Sequence, residues 1–280
     1  MIHHLNPIVN RLLVSDGYST INDFLKPAQI TQLTDLYSSV KQTETKGKMY
    51  SNIQDLEYDA CMRIEEAIMN ICEESVKKHF KNYKIAACSF LVKGYGKNSD
   101  SRLHQDWNIV DESIFKSYVL WIPLVDVDIQ NGCLQVLPQA HNWFRTIRSS
   151  NIDSIHLKFN CLLDKFLVSL PMKVTGAAVY SVNLFHGSKE NKSLNERPAV
   201  AITLVDETAE MIHYVKSNNN DIFSVKCDKK FIYSSFFKLH NGILADIEIN
   251  KTIDIKDYTV LSEIGLYFTI IYKKISGLFN

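Results

Sequence analysis

Two segments in the first third of the chain carry apolar side chains at helical spacing. The first begins at Pro27, which suits the first turn of a helix, and its stripe consists of Ile30, Leu33, Tyr37 and Val40. The second stripe consists of Ala60, Ile64, Ala67, Ile68 and Ile71. We therefore expect two amphipathic helices over about residues 27–45 and 55–80, separated by a loop at Lys46-Gly47-Lys48.

From about residue 84 the pattern changes to short runs rich in β-branched and aromatic residues. The predicted strands are residues 86–93, 117–125, 133–137, 177–185 and 199–205. Turn residues separate several of them, among them Gly94 and Gly96, Asn131-Gly132 and the run 195–198. Consecutive strands without intervening helices predict an α+β, mainly β protein built on an antiparallel sandwich or barrel.

The chain has no internal repeat and no convincing linker, so we expect one domain over residues 1–280. Its parts would be a helical N-terminal part over about 1–83, a β core over about 84–206 and a C-terminal extension over about 207–280. Residues 151–173 are ambiguous and read as a helical or irregular insertion. The extension contains two aromatic-rich pieces, 231–237 and 267–272.

The composition removes some classes of function. Lys+Arg and Asp+Glu both number 31, which argues against a nucleic-acid partner. No stretch reaches the roughly 18–20 apolar residues of a membrane span, and the amino terminus lacks a signal-peptide pattern, so we expect a cytoplasmic protein without a membrane partner. The six cysteines form no Cys-x-x-Cys pair and are expected to be buried thiols.

The tripeptide His104-Gln105-Asp106 follows a loop rich in Gly, Asn and Ser. Side chains at i and i+2 on an extended backbone point to the same side, so this imidazole and carboxylate can share a metal ion. His186, after the apolar run 177–185, is the candidate third ligand. Two imidazoles and one carboxylate are the ligand set of non-haem iron(II) oxygenases. The tripeptide alone is a weak signal, since it also occurs in solvated loops.

Arg197 lies eleven residues after His186 and just before a predicted strand. Its guanidinium suits a bidentate pair with the distal carboxylate of a dicarboxylate cosubstrate. An ion pair with Glu196 or Glu190 on the surface fits the spacing equally well.

Taken together, these motifs resemble the phytanoyl-CoA dioxygenase (PhyH) family of iron(II)/2-oxoglutarate-dependent oxygenases. The resemblance covers about residues 84–206. It rests on His104-Gln105-Asp106-Trp107, Trp121, Asn131-Gly132-Cys133-Leu134-Gln135-Val136-Leu137-Pro138 with His141, and His186-Gly187-Ser188 through Asn191 to Arg197.

This resemblance implies a double-stranded β-helix, or jelly roll, with the N-terminal helices packed outside. It also implies that His104, Asp106 and His186 bind iron(II) and that Arg197 binds 2-oxoglutarate. Ser188, Trp121 and Gln105 match positions that line the cosubstrate pocket. Each also has a structural interpretation: a turn cap for the serine, core packing for the tryptophan and a solvent-facing side chain for the glutamine.

Two departures from the family pattern concern the loops around the site. The chain has Pro138-Gln139-Ala140-His141 where the family usually has Pro-Gly-Ser-His, and Gly176-Ala177 where it often has Gly-Asp. Neither touches a predicted ligand, although the first puts the shape of the loop near His141 in doubt. We expect His141 not to bind the metal but to form a hydrogen bond with a residue that supports the site.

The activity implied is that of a dioxygenase that uses iron(II), 2-oxoglutarate and O2, with ascorbate as an optional reductant. It would hydroxylate an unactivated C–H bond of a small-molecule, amino-acid-derived or carrier-bound substrate and release succinate and CO2. The carboxylate of Asp106 favours hydroxylation over halogenation, because related halogenases have a small residue there. Desaturation and cyclisation stay open.

Two other classes of function remain open. One is a metal-dependent cupin enzyme that does not use 2-oxoglutarate, against which the placement of Arg197 argues. The other is a non-catalytic jelly-roll binding module, against which the complete ligand set argues. The substrate itself is not indicated: Lys93, Lys97 and Arg102 could hold a coenzyme A thioester, and the aromatic residues Phe231, Tyr233, Phe236 and Phe237 could line a substrate mouth.

Overall fold

The computed structural model describes residues 1–41, 46–143, 146–152, 163–217, 219, 221–235, 239 and 249–253. Its helices are α1 (Pro7–Ser15), α2 (Pro27–Val40), α3 (Asn52–Asp55), α4 (Tyr58–His79) and α5 (Lys229–Ser234). Its strands are β1 (His3–His4), β2 (Tyr18–Ile21), β3 (Met49–Ser51), β4 (Phe80–Lys81), β5 (Tyr83–Lys93), β6 (Ser101–His104), β7 (Ser117–Pro123), β8 (Gln135–Val136), β9 (Val168–Ser169), β10 (Ala177–Ser181), β11 (His186–Ser188), β12 (Arg197–Asp206), β13 (Ile212–Lys216), β14 (Ile222–Lys226) and β15 (Ile249–Ile253). Two short 3-10 helices cover Ala140–Asn142 and Asp164–Phe166.

Two antiparallel sheets form the core of the fold. The larger has the strand order β2-β10-β7-β12-β5-β3, and the smaller has the order β6-β11-β8-β9. They pack face to face through a cluster in which Trp121 and Ala201 of the larger sheet meet Leu103 and Val136 of the smaller. This architecture confirms the predicted jelly roll. A third sheet, β13-β14-β15, belongs to the C-terminal extension.

The two predicted helices cover the outer face of the larger sheet. Pro27 occupies the first turn of α2, and the backbone N–H of Lys26 donates to Gln29 Oε1, which completes the start of that helix. The buried stripes of α2 and α4 pack in one cluster with Phe90 of β5 and Leu120 of β7. The opposite face of β5 and β7 packs against the smaller sheet. Because both faces are covered, these strands carry apolar side chains on both sides.

The N-terminal part contains four short strands, β1 to β4, besides its helices. Within it, β2 and β3 pair with β10 and β5 and form the two edges of the larger sheet. Both strands are short, at four and three residues, so neither has enough alternation to announce itself in the sequence. The part expected to be helical thus also completes the β core.

The sequence predicts one strand over the apolar run 177–185, but only residues 177–181 form one, and the rest is a corner that leads into the other sheet. Residues up to Ser181 belong to β10, and β11 begins at His186 in the other sheet. The corner between them is closed by Leu184 N–H donating to Ser181 O at 2.8 Å. Both sides of the corner are buried, so composition alone does not reveal it. The predicted strand 133–137 is likewise reduced to β8.

The loop before His141 keeps a left-handed residue without a glycine. Gln139 has φ 65° and ψ −7°, and the 3-10 helix Ala140–Asn142 follows it. The family usually has glycine at this position, for which that conformation carries no steric cost. The chain therefore adopts a strained backbone here at the cost of some stability.

The remaining expectations concern the cysteines and the C-terminal extension. Cys61, Cys72, Cys88, Cys133 and Cys227 are buried free thiols, as expected, whereas Cys161 lies outside the described residues. Residues 231–234 of the aromatic-rich piece 231–237 belong to α5. Residues 236–237, the second piece 267–272 and residues 153–162 of the predicted insertion lie outside the described residues. In the described part of the chain, no helix is both long and apolar enough to cross a membrane.

Candidate active site

The register between β6 and β11 brings two of the predicted metal ligands together. His186 pairs directly with His104 across these antiparallel strands, and their ring centroids are 4.3 Å apart. Asp106 follows two residues later, and its Oδ1 lies 3.7 Å from Nε2 of each histidine. One ligand atom from each residue lies within 4.8 Å of the others, which is compact enough to surround a single metal ion.

Backbone carbonyls orient both imidazoles. Nδ1 of His104 lies 2.7 Å from Arg102 O, and Nδ1 of His186 lies 3.0 Å from Leu184 O. Because a carbonyl only accepts, each Nδ1 carries the proton and each Nε2 keeps its lone pair for a metal. Burial lowers the pKa of His186 to about 4, against the opposing effect of Asp106, so this imidazole is neutral at physiological pH.

A glycine allows the two strands to approach closely beside the ligands. A Cβ at Gly187 would lie 2.8 Å from Ser101 O, a contact that would push β11 away from β6. Any larger residue there would therefore disturb the pairing of His186 with His104. This accounts for glycine in the sequence His186-Gly187-Ser188.

Arg197 begins β12 and is buried, with 3% of its surface exposed. Its Nε and Nη1 atoms have no hydrogen-bond partner among the described residues. Glu196 instead pairs with Lys41 at 2.8 Å, and Glu190 accepts from Asn98 N–H. Burial lowers the pKa of Arg197 to about 10, so the side chain is still a cation at neutral pH. A buried cation with unused donors is unfavourable unless an anion satisfies it.

The three proposed metal ligands and Arg197 line one cavity, whose volume is about 520 Å³. The other three predicted pocket residues line it as well. Trp121 lies beneath Arg197, with its ring centroid 5.0 Å from the guanidinium carbon. Ser188 is buried on β11. The amide of Gln105 is already engaged, since Nε2 donates to Asn183 O at 2.5 Å and Oε1 accepts from Thr146 Oγ1 at 3.3 Å. Gln105 thus fixes the wall of the cavity rather than facing solvent.

His141 supports the site indirectly, through its contacts with neighbouring loops. Its Nε2 lies 3.1 Å from the carbonyl of Val14 at the end of α1, and its own carbonyl accepts from Asn183 Nδ2 at 3.0 Å. Asn183 is the residue whose carbonyl accepts from Gln105. His141 therefore supports the loop behind Gln105, and in the described part of the chain it forms no hydrogen bond with His104 or His186.

Tyr180 is a site residue that the sequence did not reveal. It lies on β10, its hydroxyl is 3.4 Å from His186 Nε2, and burial raises its pKa well above the ordinary value, with Asp106 adding to the effect. The alternation of β10 places Ala178 and Tyr180 in the cluster between the sheets. That alternation was the only signal for it, and the signal does not separate a core tyrosine from one beside a metal site.

Arg148 is a second residue that the sequence did not reveal. Its Nε donates to the backbone carbonyl of Asp106 at 2.7 Å, and its Nη1 and Nη2 both donate to the carboxylate of Glu112. Its backbone N–H donates to Asn108 Oδ1 at 2.6 Å. Arg148 therefore ties together the loop that follows the proposed carboxylate ligand. No motif in the sequence marks this contact.

Structures of other proteins share the fold. The non-heme alpha ketoglutarate dependent carbocyclase SnoK from nogalamycin biosynthesis superposes with a TM-score of 0.51 and 15% identity, over 74% of this chain and 86% of that one. AviO1 from Streptomyces viridochromogenes Tue57 gives 0.50 and 17%, over 72% and 95%. The epimerase SnoN, in complex with Fe3+, alpha ketoglutarate and nogalamycin RO, gives 0.51 and 15%, over 73% and 86%. At these identities the likeness establishes the fold.

No curated protein sequence matches the chain. The family model described as Phytanoyl-CoA dioxygenase (PhyH) matches residues 13–199, which is more than half of the chain. The matched segment includes His104, Asp106, His186 and Arg197. The chain therefore belongs to the phytanoyl-CoA dioxygenase family.

Proposed function

We propose that this protein is an iron(II)- and 2-oxoglutarate-dependent oxygenase. In this proposal His104, Asp106 and His186 bind the iron, and Arg197 binds the distal carboxylate of 2-oxoglutarate. The observation that carries it is the buried guanidinium with two unused donor atoms, which lines the same cavity as the three ligands. A dicarboxylate satisfies both ends, with one end on the metal and the other on Arg197.

The donor set fits a divalent iron ion. Two neutral imidazoles and a carboxylate suit iron(II), and three ligands leave coordination positions open for other molecules. Trp121 packs against the guanidinium of Arg197 and restricts its orientation. Ser188, two residues after His186, also lines the cavity and contributes a hydroxyl there.

Iron held by these residues would, with 2-oxoglutarate and O2, supply the oxidising power to hydroxylate an unactivated C–H bond, with one oxygen atom of O2 in the new hydroxyl group and the other in the succinate that forms with CO2. The protein supplies orientation and a dry cavity. Arg102 O and Leu184 O hold the imidazoles, and apolar side chains such as Val119 and Leu134 exclude water from the cavity. We propose hydroxylation of a small molecule as the outcome.

We also propose that residues 1–280 act as one catalytic domain. Segments from the N-terminal part, the core and the C-terminal extension all line the cavity, represented by Tyr50, Trp121 and Ile232. A binding module without catalysis would not need the unpaired Arg197, and a cupin enzyme without 2-oxoglutarate would not need it either.

Replacing Asp106 with alanine tests the proposed metal ligands. The variant keeps two imidazoles and loses the carboxylate, so we expect iron(II) affinity to fall at least tenfold and succinate formation to cease. Iron titration and a succinate assay measure the two effects, and the far-ultraviolet circular dichroism spectrum checks the fold. Unchanged iron content with full turnover would show that Asp106 is not a ligand.

Two substitutions at Arg197 test the cosubstrate site. Lysine keeps the charge but loses the planar pair of donors, so we expect 2-oxoglutarate binding to weaken by roughly ten- to a hundredfold, and alanine to weaken it further. Anaerobic titration of the iron-loaded protein, followed by the metal-to-ligand absorption band, gives the dissociation constants. If both variants keep the wild-type constant, 2-oxoglutarate is held elsewhere.

The same arginine makes a prediction about stability that needs no ligand. Because its guanidinium is buried and unsatisfied, Arg197→Met should raise the free energy of unfolding of the metal- and cosubstrate-free protein by about 1–3 kcal/mol. The matched control is Arg148→Met, which removes a buried arginine that is fully paired and should destabilise the fold by about 3–5 kcal/mol. Thermal denaturation in a buffer free of small carboxylates measures both. A lower melting temperature for Arg197→Met would mean that its guanidinium is satisfied.

A further inference from the structure

The cavity continues well beyond the part that 2-oxoglutarate would fill. Arg197, Ala201 and Thr203 lie on the same face of β12, and all three line the cavity. At about 3.4 Å per residue, Thr203 lies roughly 20 Å along the strand from Arg197. The five-carbon cosubstrate occupies only the end between Arg197 and the metal ligands. The other end is free to receive a second molecule.

Small side chains create the space at this far end. In the register of the larger sheet, Ala201 pairs with Ser89 and Thr203 pairs with Ala87, and all four line the cavity. Larger side chains at these four positions would fill the space. Trp121, which pairs with Ala201 from the neighbouring strand β7, shows the size of residue that the sheet carries elsewhere. We call this region the substrate chamber, and define it by Ala87, Ser89, Ala201, Thr203, Ile53 and Ile232.

One wall of the substrate chamber comes from α5, which lies after the segment matched by the family model. A polar network fixes this helix. The hydroxyl of Tyr233 donates to Glu65 of α4 and accepts from the backbone N–H of Cys88 at 3.0 Å, and Lys229 Nζ donates to Glu65 at 2.5 Å. Ile232, between these two anchors, is therefore held in place against the chamber. Phe231 and Tyr233 pack in the same apolar cluster as Ile232 but do not line the cavity.

The chamber provides no counter-charge for an ion. Among the described lining residues, the charged groups are the proposed metal ligands and Arg197, all committed to the metal and the cosubstrate. Lys93 does not line the cavity: it is fully buried and donates to Ser99 O. Lys97 and Arg102 do not line it either. Moving an unpaired ion from water into such an environment is strongly unfavourable, whereas the hydroxyls of Ser89 and Thr203 suit neutral polar groups.

We propose that the substrate chamber takes a compact, uncharged and mainly apolar small molecule, or an uncharged portion of a larger one. This inference rests on the proposed function, because it assigns the metal ligands and Arg197 to iron and 2-oxoglutarate. It disfavours free amino acids and carboxylates as the buried substrate group.

Three probes that share one hydrocarbon cage and differ in charge test the proposal. They are 1-adamantanol, adamantane-1-carboxylate and 1-adamantylammonium. We expect the iron- and 2-oxoglutarate-loaded protein, kept anaerobic, to bind 1-adamantanol at least tenfold more tightly than either ion in isothermal titration calorimetry. Tighter or equal binding of an ion overturns the proposal, and so does failure of 1-adamantanol to bind.

A variant locates the binding. Ala201→Phe places a ring in the substrate chamber and should weaken 1-adamantanol at least tenfold, whereas Ala28→Phe adds the same ring to the exposed surface of α2 and should not. Equal binding by Ala201→Phe would place the probe elsewhere and overturn the assignment. If Ala201→Phe does not fold, the comparison of the three probes on the wild-type protein still decides. Prior titration of 2-oxoglutarate shows separately whether the proposed function has failed.

A different observation carries a second inference. The loop from Asp106 to Glu112 has no regular strand, yet Arg148 joins its two ends through the Asp106 carbonyl and the Glu112 carboxylate. His213 of β13 adds a third contact, since burial lowers its pKa to about 4 and its neutral ring donates from Nδ1 to Asn108 O at 2.8 Å. We infer that Arg148 is a positioning residue, which holds Asp106 where its carboxylate meets both imidazoles.

Metal affinity tests this role directly. Arg148→Lys removes the forked pair and Glu112→Gln weakens it, so we expect cobalt(II) to bind roughly ten- to a hundredfold more weakly, with altered d–d bands at saturating metal. Lys173→Met, which breaks an exposed ion pair with Asp126, is the control and should change neither. The band shape reports the local geometry, which a loss of overall stability would not move. Wild-type affinity and bands in Glu112→Gln would overturn the inference, even if Arg148→Lys does not fold.

Discussion

The pairing of β6 with β11 is the constraint on which the candidate site depends. Their register places His186 opposite His104, and each ring is oriented by the carbonyl two residues before it in the chain. The same close approach leaves no room for a Cβ at Gly187. Because strand pairing fixes the two backbones and a backbone carbonyl fixes the orientation of each ring, the distance between the imidazoles does not depend on contacts with other side chains. Asp106 is different: it follows the end of β6 and needs the loop around Arg148 to hold it.

Two positively charged side chains lie close together in the core beside the proposed cosubstrate end of the cavity. Arg197 and Lys93 are neighbours in the register of β12 and β5, and both are buried. Burial, with Arg197 adding to the effect, lowers the pKa of Lys93 to about 7, so a substantial fraction of this lysine is neutral at physiological pH. The repulsion between the two side chains is thereby reduced while Arg197 keeps its charge. The fold thus tolerates a buried guanidinium that only an anion would satisfy.

The sequence predicted the long elements and the chemical groups, but not the corners and the supporting contacts. Helical spacing sufficed for α2 and α4, because each has several turns with a single buried face. It could not show that β10 ends at Ser181, since apolar residues continue through the turn. Residue type and spacing were enough to select His104, Asp106 and His186, which the structure brings together, as the proposed metal ligands. Arg148 was not, because a charged residue that holds a backbone carbonyl leaves no pattern along the chain.

The strand β12 shows how one element can serve two purposes that are constrained differently. At its start, the role proposed for Arg197 requires a planar cation that can meet a carboxylate, and lysine is a poor substitute for that. Further along, Ala201 and Thr203 need only be small, and their size sets how much room remains beside the metal ligands. The family match ends at residue 199, between these two parts of the strand. The residues proposed for the cosubstrate end therefore lie inside the matched segment. The substrate chamber is divided: Ile53, Ala87 and Ser89 lie inside that segment, and Ala201, Thr203 and Ile232 lie beyond it. The size of the chamber can therefore change at these last three positions without a change in the matched segment.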